Sequence, residues 1–250
     1  MIPELDLGPV ELQTFGLMLA LALVADGLIV AKRLRELRKP VDWAYEAVFA
    51  AGVGGVVGAK VDWMLQNPDQ AFGGGLADGV FGPGLVFFGG LLGGALAVSA
   101  WAYRRGFLGL TLLDLGAPAI ALGYALGRIG CQLAGDGDYG VPSDLPWAMA
   151  YPDGTVPTTV EVHPTPIYET VAMGMATIVL WRLRGRLVRG VLFGLYLVIA
   201  GVERFLIEFI RRNETVVAGL TLAQLISVTM AVAGSGFIAW RMRAARVAPA

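Results

Sequence analysis

Long apolar runs are the feature that most constrains this chain, because a helix needs about 20 mostly apolar residues to cross a hydrocarbon core of ~30 Å. Seven such runs occur, at 12–31, 44–65, 85–103, 110–131, 166–182, 190–210 and 219–240. Only 16% of the residues are charged, well below the share of about 25% in soluble domains. The sequence therefore predicts an all-α integral membrane protein with seven transmembrane helices, forming a single transmembrane domain over 1–250.

The basic residues predict the orientation of these helices. Most of the 19 Lys and Arg residues follow the first, third, fifth and seventh runs. Those loops lie on one side, and loops rich in Lys and Arg are typical of the cytoplasmic side. We expect the N-terminus outside and the C-terminus in the cytoplasm. The first run does not resemble a cleaved signal peptide, because acidic Glu4, Asp6 and Glu11 precede it instead of a basic segment.

The longest loop, at 132–165, lies between the fourth and fifth predicted helices and falls on the outer side. Its proline and aspartate residues are typical of turns. Loops of this length are often binding loops or lids. We expect a small extracytoplasmic cap here.

Composition excludes several other classes of function. The net charge of −1 gives no indication of nucleic-acid binding. The single His and single Cys exclude sites built from several of these ligands. The composition therefore predicts no metal site of those kinds.

Three cations, Lys60, Arg128 and Arg204, fall in the outer halves of predicted spans. A charge within the membrane costs about 2.5–3.5 kcal/mol on insertion scales, so it is expected to be paired or functional. Three cations at similar depth favour an anion site that faces outward. Snorkelling or structural ion pairs are the alternative.

The motifs around these cations suggest the chemistry of the site. Arg128 lies in a glycine-rich stretch, 127–140, and its guanidinium suits a phosphate. Arg204, Glu208 and Arg211 have helical spacing, so Glu208 is predicted to pair with both arginines and leave positive charge for an anion. His163 precedes the fifth run, either as a group that titrates near neutrality or as a boundary histidine bonded to the backbone.

Taken together, these motifs resemble the prolipoprotein diacylglyceryl transferase family. The resemblance extends over nearly the whole chain and rests on the order and spacing of 114–140, 163–169 and 204–211. It implies a seven-span enzyme of the bacterial inner membrane. Such an enzyme transfers diacylglycerol from phosphatidylglycerol, or a related anionic phospholipid, to the lipobox cysteine of a preprolipoprotein. A thioether forms, glycerol-1-phosphate leaves, and no cofactor is implied.

The resemblance also implies residue roles. Arg128 and Arg204 would grip the phosphoglycerol head, and Lys60 stands where the family usually has an arginine. Glu208 would orient the arginines. The other residues assigned to substrate binding by the resemblance are Gly89, Gly90, Gly127, Gly135, Tyr168, Glu169 and Arg211, of which Tyr168 and Glu169 would brace the motif that begins at His163.

The chain departs from the family pattern at several polar positions. The family's His-Gly-Gly motif is Phe88-Gly89-Gly90 here, Cys131 and Ala134 replace two asparagines, and Asp136 replaces a glutamate. His163 and Asp136 are then the candidates for the catalytic base. Cys131 is either a small buried residue or a thiol near the lipid site.

Two other functions stay open at this point. A non-catalytic paralogue would bind phospholipid or lipoprotein without turnover. A small transporter would need a polar route from Asp26, in the middle of the first run, to the outer cations.

Overall fold

The computed structural model describes residues 1–6, 8, 11–73, 79–80, 82 and 84–247. Helices dominate this part of the chain. They are α1 (Thr14–Glu36), α2 (Trp43–Gln66), the short α3 (Pro68–Gly73), α4 (Phe87–Arg104), α5 (Leu110–Ala134), α6 (Thr165–Leu183), α7 (Val191–Ile207) and α8 (Leu222–Val247). Each predicted run coincides with one long helix.

In the part of the chain that the structure describes, four helices are long and apolar enough to cross a membrane, namely Thr14–Glu36, Trp43–Gln66, Leu110–Ala134 and Leu222–Arg246. The chain is therefore a multi-pass membrane protein. The count of seven spans and the orientation stay predictions.

The predicted helical character of the fold is confirmed, and three small antiparallel sheets accompany the helices among the described residues. Their strands are β1 (Glu4–Asp6) with β2 (Glu11–Gln13), β3 (Met149–Tyr151) with β4 (Thr158–Val162), and β5 (Thr215–Val217) with β6 (Leu220–Thr221). The β1–β2 pair precedes α1, whereas the other two pairs lie between helices. Each satisfies a few backbone hydrogen bonds outside the helices.

The helices form two compact units. The first comprises Met1–Ile29 and Leu113–Ala250, and the second comprises Val30–Leu112. A single transmembrane domain over 1–250 stays a prediction.

Glycines bring α2 and α4 together in the second unit. A Cβ atom added at Gly58 would lie 2.8 Å from Cα of Gly93, closer than side-chain carbons approach a backbone. Gly89 of α4 lies against Gly58 in the same way. Small residues of this kind allow close helix packing in membranes, so tight packing accounts for the glycine-rich start of α4.

Small and apolar side chains join α5, α6 and α7 in the first unit. The cluster that they form is Ala117, Ala121, Ala125, Met173, Ala176, Leu180 and Leu192. At the start of α7 the Asp114 carboxylate accepts the backbone N–H groups of Gly190 (2.7 Å) and Phe193 (3.0 Å). These contacts satisfy donors that a helix N-terminus otherwise leaves free, and they fix α7 beside α5.

The predicted cap lies between α5 and α6, and it contains the β3–β4 hairpin. Its core is a stack of Tyr139 on Tyr151, with ring centroids 4.7 Å apart. Val162 is buried with them. The Tyr139 hydroxyl donates a hydrogen bond to the Val156 carbonyl oxygen at 2.9 Å. The cap is therefore an ordered element, and it holds the segment after α5 in a defined path.

Candidate active site

Glu169, near the start of α6, is the centre of a cluster of charged side chains. Its side chain has no exposed surface. One carboxylate oxygen, Oε2, pairs with Nε of Arg128 and accepts the Tyr124 hydroxyl at 3.0 Å. The other, Oε1, lies 3.5 Å from Nη1 of Arg204 and 3.3 Å from Nη1 of Arg211. Guanidiniums from separate parts of the chain thus meet at one carboxylate.

Asp138 is a second bridge between these arginines. Its carboxylate pairs with Arg128 through one oxygen and with Arg211 through the other. The Asp138 carbonyl oxygen accepts the Thr165 hydroxyl at 2.5 Å, which ties the segment after α5 to the start of α6. Burial alone would raise the pKa of Asp138, but the two guanidiniums outweigh it and hold that pKa below its ordinary value.

Glu208 completes the cluster at the end of α7. Its side chain has no exposed surface, and its Oε2 lies 2.8 Å from Nη2 of Arg204. Its other oxygen accepts the Asn213 side-chain amide at 2.7 Å and the Thr221 hydroxyl at 2.8 Å. The charged residues that meet here, called the arginine network below, are Arg128, Arg204, Arg211, Asp138, Glu169 and Glu208.

The prediction that Glu208 pairs with both neighbouring arginines is wrong for Arg211. The α-helix ends at Ile207 and a 3-10 turn follows over Glu208–Ile210. Because a 3-10 turn has a tighter period, Arg211 leaves the face that it would share with Arg204 on a continuous helix. Its ion pairs go instead to Asp138 and Glu169.

The predicted surplus of positive charge is also absent within the arginine network. Three carboxylates match its three guanidiniums. Nη1 of Arg204 is the weakest of these contacts, since it is buried without a hydrogen bond and lies 3.5 Å from Oε1 of Glu169. A bound phosphate would therefore meet one donor that makes no hydrogen bond and would have to replace carboxylates at the others.

Cys131 lies next to the network, on the last turn of α5. Its side chain is buried, and its Sγ is 3.8 Å from Nη1 of Arg128. Sγ and carboxylate oxygens of Asp136 and Asp138 all lie within 4.8 Å of one another. Two guanidiniums already engage Asp138 and would repel a cation, so these three residues do not suit a metal ion.

Asp136, unlike Asp138, makes no ion pair among the described residues. Its carboxylate accepts the Asp138 backbone N–H at 3.3 Å. Burial raises the pKa of Asp136, although a hydrogen bond with the Cys131 thiol and the nearby Arg128 act in the opposite direction. A carboxylate with a raised pKa is a better proton acceptor near neutral pH than an ordinary one.

Comparison with known proteins decides the family. A family model described as prolipoprotein diacylglyceryl transferase matches residues 4–240. This chain belongs to that family. Similar proteins named phosphatidylglycerol–prolipoprotein diacylglyceryl transferase occur in several bacteria. The protein of Clostridium tetani is 30% identical over 92% of this chain and 93% of its own. That of Chromohalobacter salexigens is 32% identical over 96% and 94%, and that of Methylococcus capsulatus is 30% identical over 91% and 90%.

Tyr168 and Glu169, which are expected to brace the motif that begins at His163, contact different partners. Glu169 faces the arginine network, whereas the Tyr168 hydroxyl lies 3.3 Å from Nδ1 of His163 and accepts Trp147 Nε1–H at 2.7 Å. The His163 backbone pairs with Gly140 and Val141. His163 is thus held both through its backbone and through its ring, and its role as a base stays a prediction.

The remaining residues predicted to bind substrate, the glycines and Lys60, lie in different parts of the structure. Gly135 has a φ of 60°, and an added Cβ would lie 2.7 Å from Cα of Gly154, so this position requires glycine for the turn after α5. A Cβ at Gly127 would meet nothing within 4 Å.

Lys60 belongs to the second unit with Gly89 and Gly90, and it donates to the Gly82 carbonyl oxygen at 2.8 Å. Substrate contacts of these residues stay predictions.

Two residues of the site, Tyr124 and Asp138, were not predicted from the sequence. Tyr124 precedes Arg128 by one helical turn, and this spacing was available as a signal. Asp138 was read only as a turn residue of the cap, because nothing local in the sequence indicates that two arginines bind it.

Proposed function

We propose that this protein is a phosphatidylglycerol:prolipoprotein diacylglyceryl transferase of the bacterial inner membrane, with seven spans and its site facing outward. The observation that carries the proposal is the convergence of Arg128 and Arg204, from α5 and α7, on the single carboxylate of Glu169. Family membership over residues 4–240 supports the same reaction. The substrates are then an anionic phospholipid and the lipobox peptide of a preprolipoprotein.

The arginine network suits the leaving group of this reaction. The acceptor thiolate attacks the glycerol carbon, a C–S bond forms, and the bond from that carbon to the phosphate oxygen breaks. Negative charge develops on the departing phosphate, where positioned cationic donors lower the barrier most. Arg204 Nη1 offers a buried donor without a hydrogen-bond partner. Arg128 offers further donors once the phosphate replaces Asp138, the more exposed of its two carboxylate partners.

We propose Asp136 as the group that accepts the thiol proton. Its carboxylate lies beside Cys131, whose Sγ is 3.8 Å from Arg128, so it is close to the phosphate-binding donors. His163 is the second candidate, with its Nδ1 already engaged by Tyr168. Replacing Asp136 by Asn and His163 by Gln, each alone, separates the two assignments. The variant that loses the base should lose transfer and regain part of it as the pH rises, because more acceptor thiol ionises without help.

A lipid-binding paralogue is the alternative function, and the complete pairing of charges within the arginine network favours it. The deciding experiment places the purified protein in phosphatidylglycerol vesicles with a lipobox peptide and follows the peptide mass. We expect the mass of diacylglycerol to be added by the wild type. Arg128→Ala and Arg204→Ala should abolish the addition. Arg243→Gln, a change in the last turns of α8, is the control and should leave it unchanged.

Two results would reject the transferase proposal. One is a wild-type protein that retains bound phospholipid but adds nothing to the peptide with any of several phospholipid head groups. The other is full activity in both arginine variants, since the chemistry would then not depend on the network.

A further inference from the structure

A polar cavity of about 400 Å³ lies beside the arginine network, and the mechanism above does not use it. Its walls are Gly137, Tyr139, Arg211, Arg212 and Asn213. Small-molecule sites commonly have volumes of about 300–1,000 Å³. The cavity is therefore large enough for a small polar molecule.

Arg212 gives this cavity a positive charge that the arginine network does not balance. Its guanidinium carbon lies 4.3 Å from the centroid of the Tyr139 ring. In the parts of the chain that the structure describes, no carboxylate pairs with Arg212. Stacking on a ring orients a guanidinium while its N–H edges stay available to an anion.

The Tyr139 ring is a fixed support for Arg212. Tyr139 is 2% exposed, and its hydroxyl donates to the Val156 carbonyl oxygen at 2.9 Å. Its other ring contact is the stack on Tyr151. The guanidinium of Arg212 thus rests on a side chain held by the cap core, which reduces the entropy lost when an anion binds.

Arg211 connects the cavity to the arginine network. It forms one wall of the cavity while its guanidinium pairs with Asp138 and Glu169. Glu169 in turn binds Arg128 and Arg204. Arg212 follows Arg211 directly in the chain. A phosphate released from Arg128 and Arg204 would therefore next meet the cations Arg211 and Arg212.

We propose that this cavity is the release subsite for the glycerol phosphate product, a water-soluble phosphomonoester. The assignment rests on the proposed function. The phosphomonoester dianion matches Arg212, and the glycerol hydroxyls match the polar wall that includes Asn213, whose amide nitrogen also donates to Glu208. A diacylated phospholipid does not match walls of this polarity, since its acyl chains require apolar surface.

Direct binding to the full-length protein in detergent tests the proposal without relying on turnover. The probes are glycerol-1-phosphate, glycerol and, in a separate arm, phosphatidylglycerol in nanodiscs, each followed by calorimetry. Wild-type protein should bind glycerol-1-phosphate and not glycerol. Arg212→Gln should weaken that binding on the order of tenfold, the effect of one charge-assisted hydrogen bond. Arg212→Lys should fall between the two, and the control Arg243→Gln should bind as the wild type does.

Product inhibition supplies the second readout. Glycerol-1-phosphate should inhibit transfer at a concentration on the order of tenfold higher in Arg212→Gln than in the wild type, with an unchanged KM for phosphatidylglycerol. Three results would overturn the release subsite: no binding of glycerol-1-phosphate by the wild type, equal binding by Arg212→Gln, or an effect of Arg212 on the nanodisc lipid alone. Arg212-dependent binding of the phosphomonoester in a protein without transfer would instead reject the proposed function and leave the anion site standing.

Discussion

Replacing Glu169 by Gln tests the arginine network most directly, because the side chain keeps its shape and loses only its charge. The carboxylate has no exposed surface and pairs with Arg128, Arg204 and Arg211. In Glu169→Gln, three guanidiniums would face two carboxylates. Removing one partner of a buried ion pair costs about 3–5 kcal/mol, since the remaining charge stays buried and unpaired. We expect a loss of stability of this size, close to the upper end for single substitutions.

Thermal unfolding in detergent measures this loss, with Glu161→Gln as the matched control. Glu161 lies on β4 and is exposed. An exposed substitution of this kind changes stability by about 0.5 kcal/mol or less. At about 2–4 °C per kcal/mol for a chain of this size, Glu169→Gln should unfold on the order of 10 °C below the wild type.

A second substitution examines the cause of the loss. Arg211→Gln in the Glu169→Gln background restores the balance of charge, so the double variant should be more stable than the sum of the single losses predicts. The reasoning is refuted if Glu169→Gln melts together with Glu161→Gln, or if the two losses simply add. In either case the guanidiniums would not depend on the shared carboxylate.

Three further predictions concern pH and packing. The pKa of Asp138 is lowered in the fold, so its ionised form adds stability above its ordinary pKa of about 3.9. That stability is lost as pH falls through the lowered value. Urea unfolding between pH 6 and pH 3 should therefore show a larger loss of stability in the wild type than in Asp138→Asn. The pKa of Asp136 is raised, so ionisation destabilises the fold as pH rises, and Asp136→Asn should unfold at a higher temperature than the wild type at pH 7 and at the same temperature below pH 4. Gly58→Ala should destabilise the protein, because the new Cβ would lie 2.8 Å from the Gly93 backbone. The control Gly236→Ala, with open space around it, should leave the melting temperature unchanged or higher. Equal melting temperatures for the two alanine variants would contradict close packing of α2 on α4.

The sequence predicts the long helices well, because apolar periods and lengths are local properties. Arg128 and Arg204 are also predictable as site residues, since an intramembrane cation requires a reason. The partner of Arg211 is not predictable in this way. It depends on the change from α-helix to 3-10 turn after Ile207, and a charge pattern with helical spacing does not reveal where a helix ends.

The path of the cap is the other part that sequence reasoning could not supply. Asp138 reaches Arg128 and Arg211 because the segment after α5 is fixed by the stack of Tyr139 on Tyr151. Such contacts join residues that are distant in sequence. Propensity and motif spacing carry no information about them.

The distribution of partners also bears on how the chain enters the bilayer during synthesis. Arg128 arrives with α5 and finds Glu169 as soon as α6 follows, while Arg204 carries Glu208 with it at the end of α7. On the proposed seven-span topology, α6 and α7 would then each enter the bilayer with oppositely charged side chains paired, and no single charge would face lipid until the last helix is made. The positions of these four side chains thus predict an order of assembly. A ribosome-bound intermediate that ends after α6 should already be inserted in the membrane.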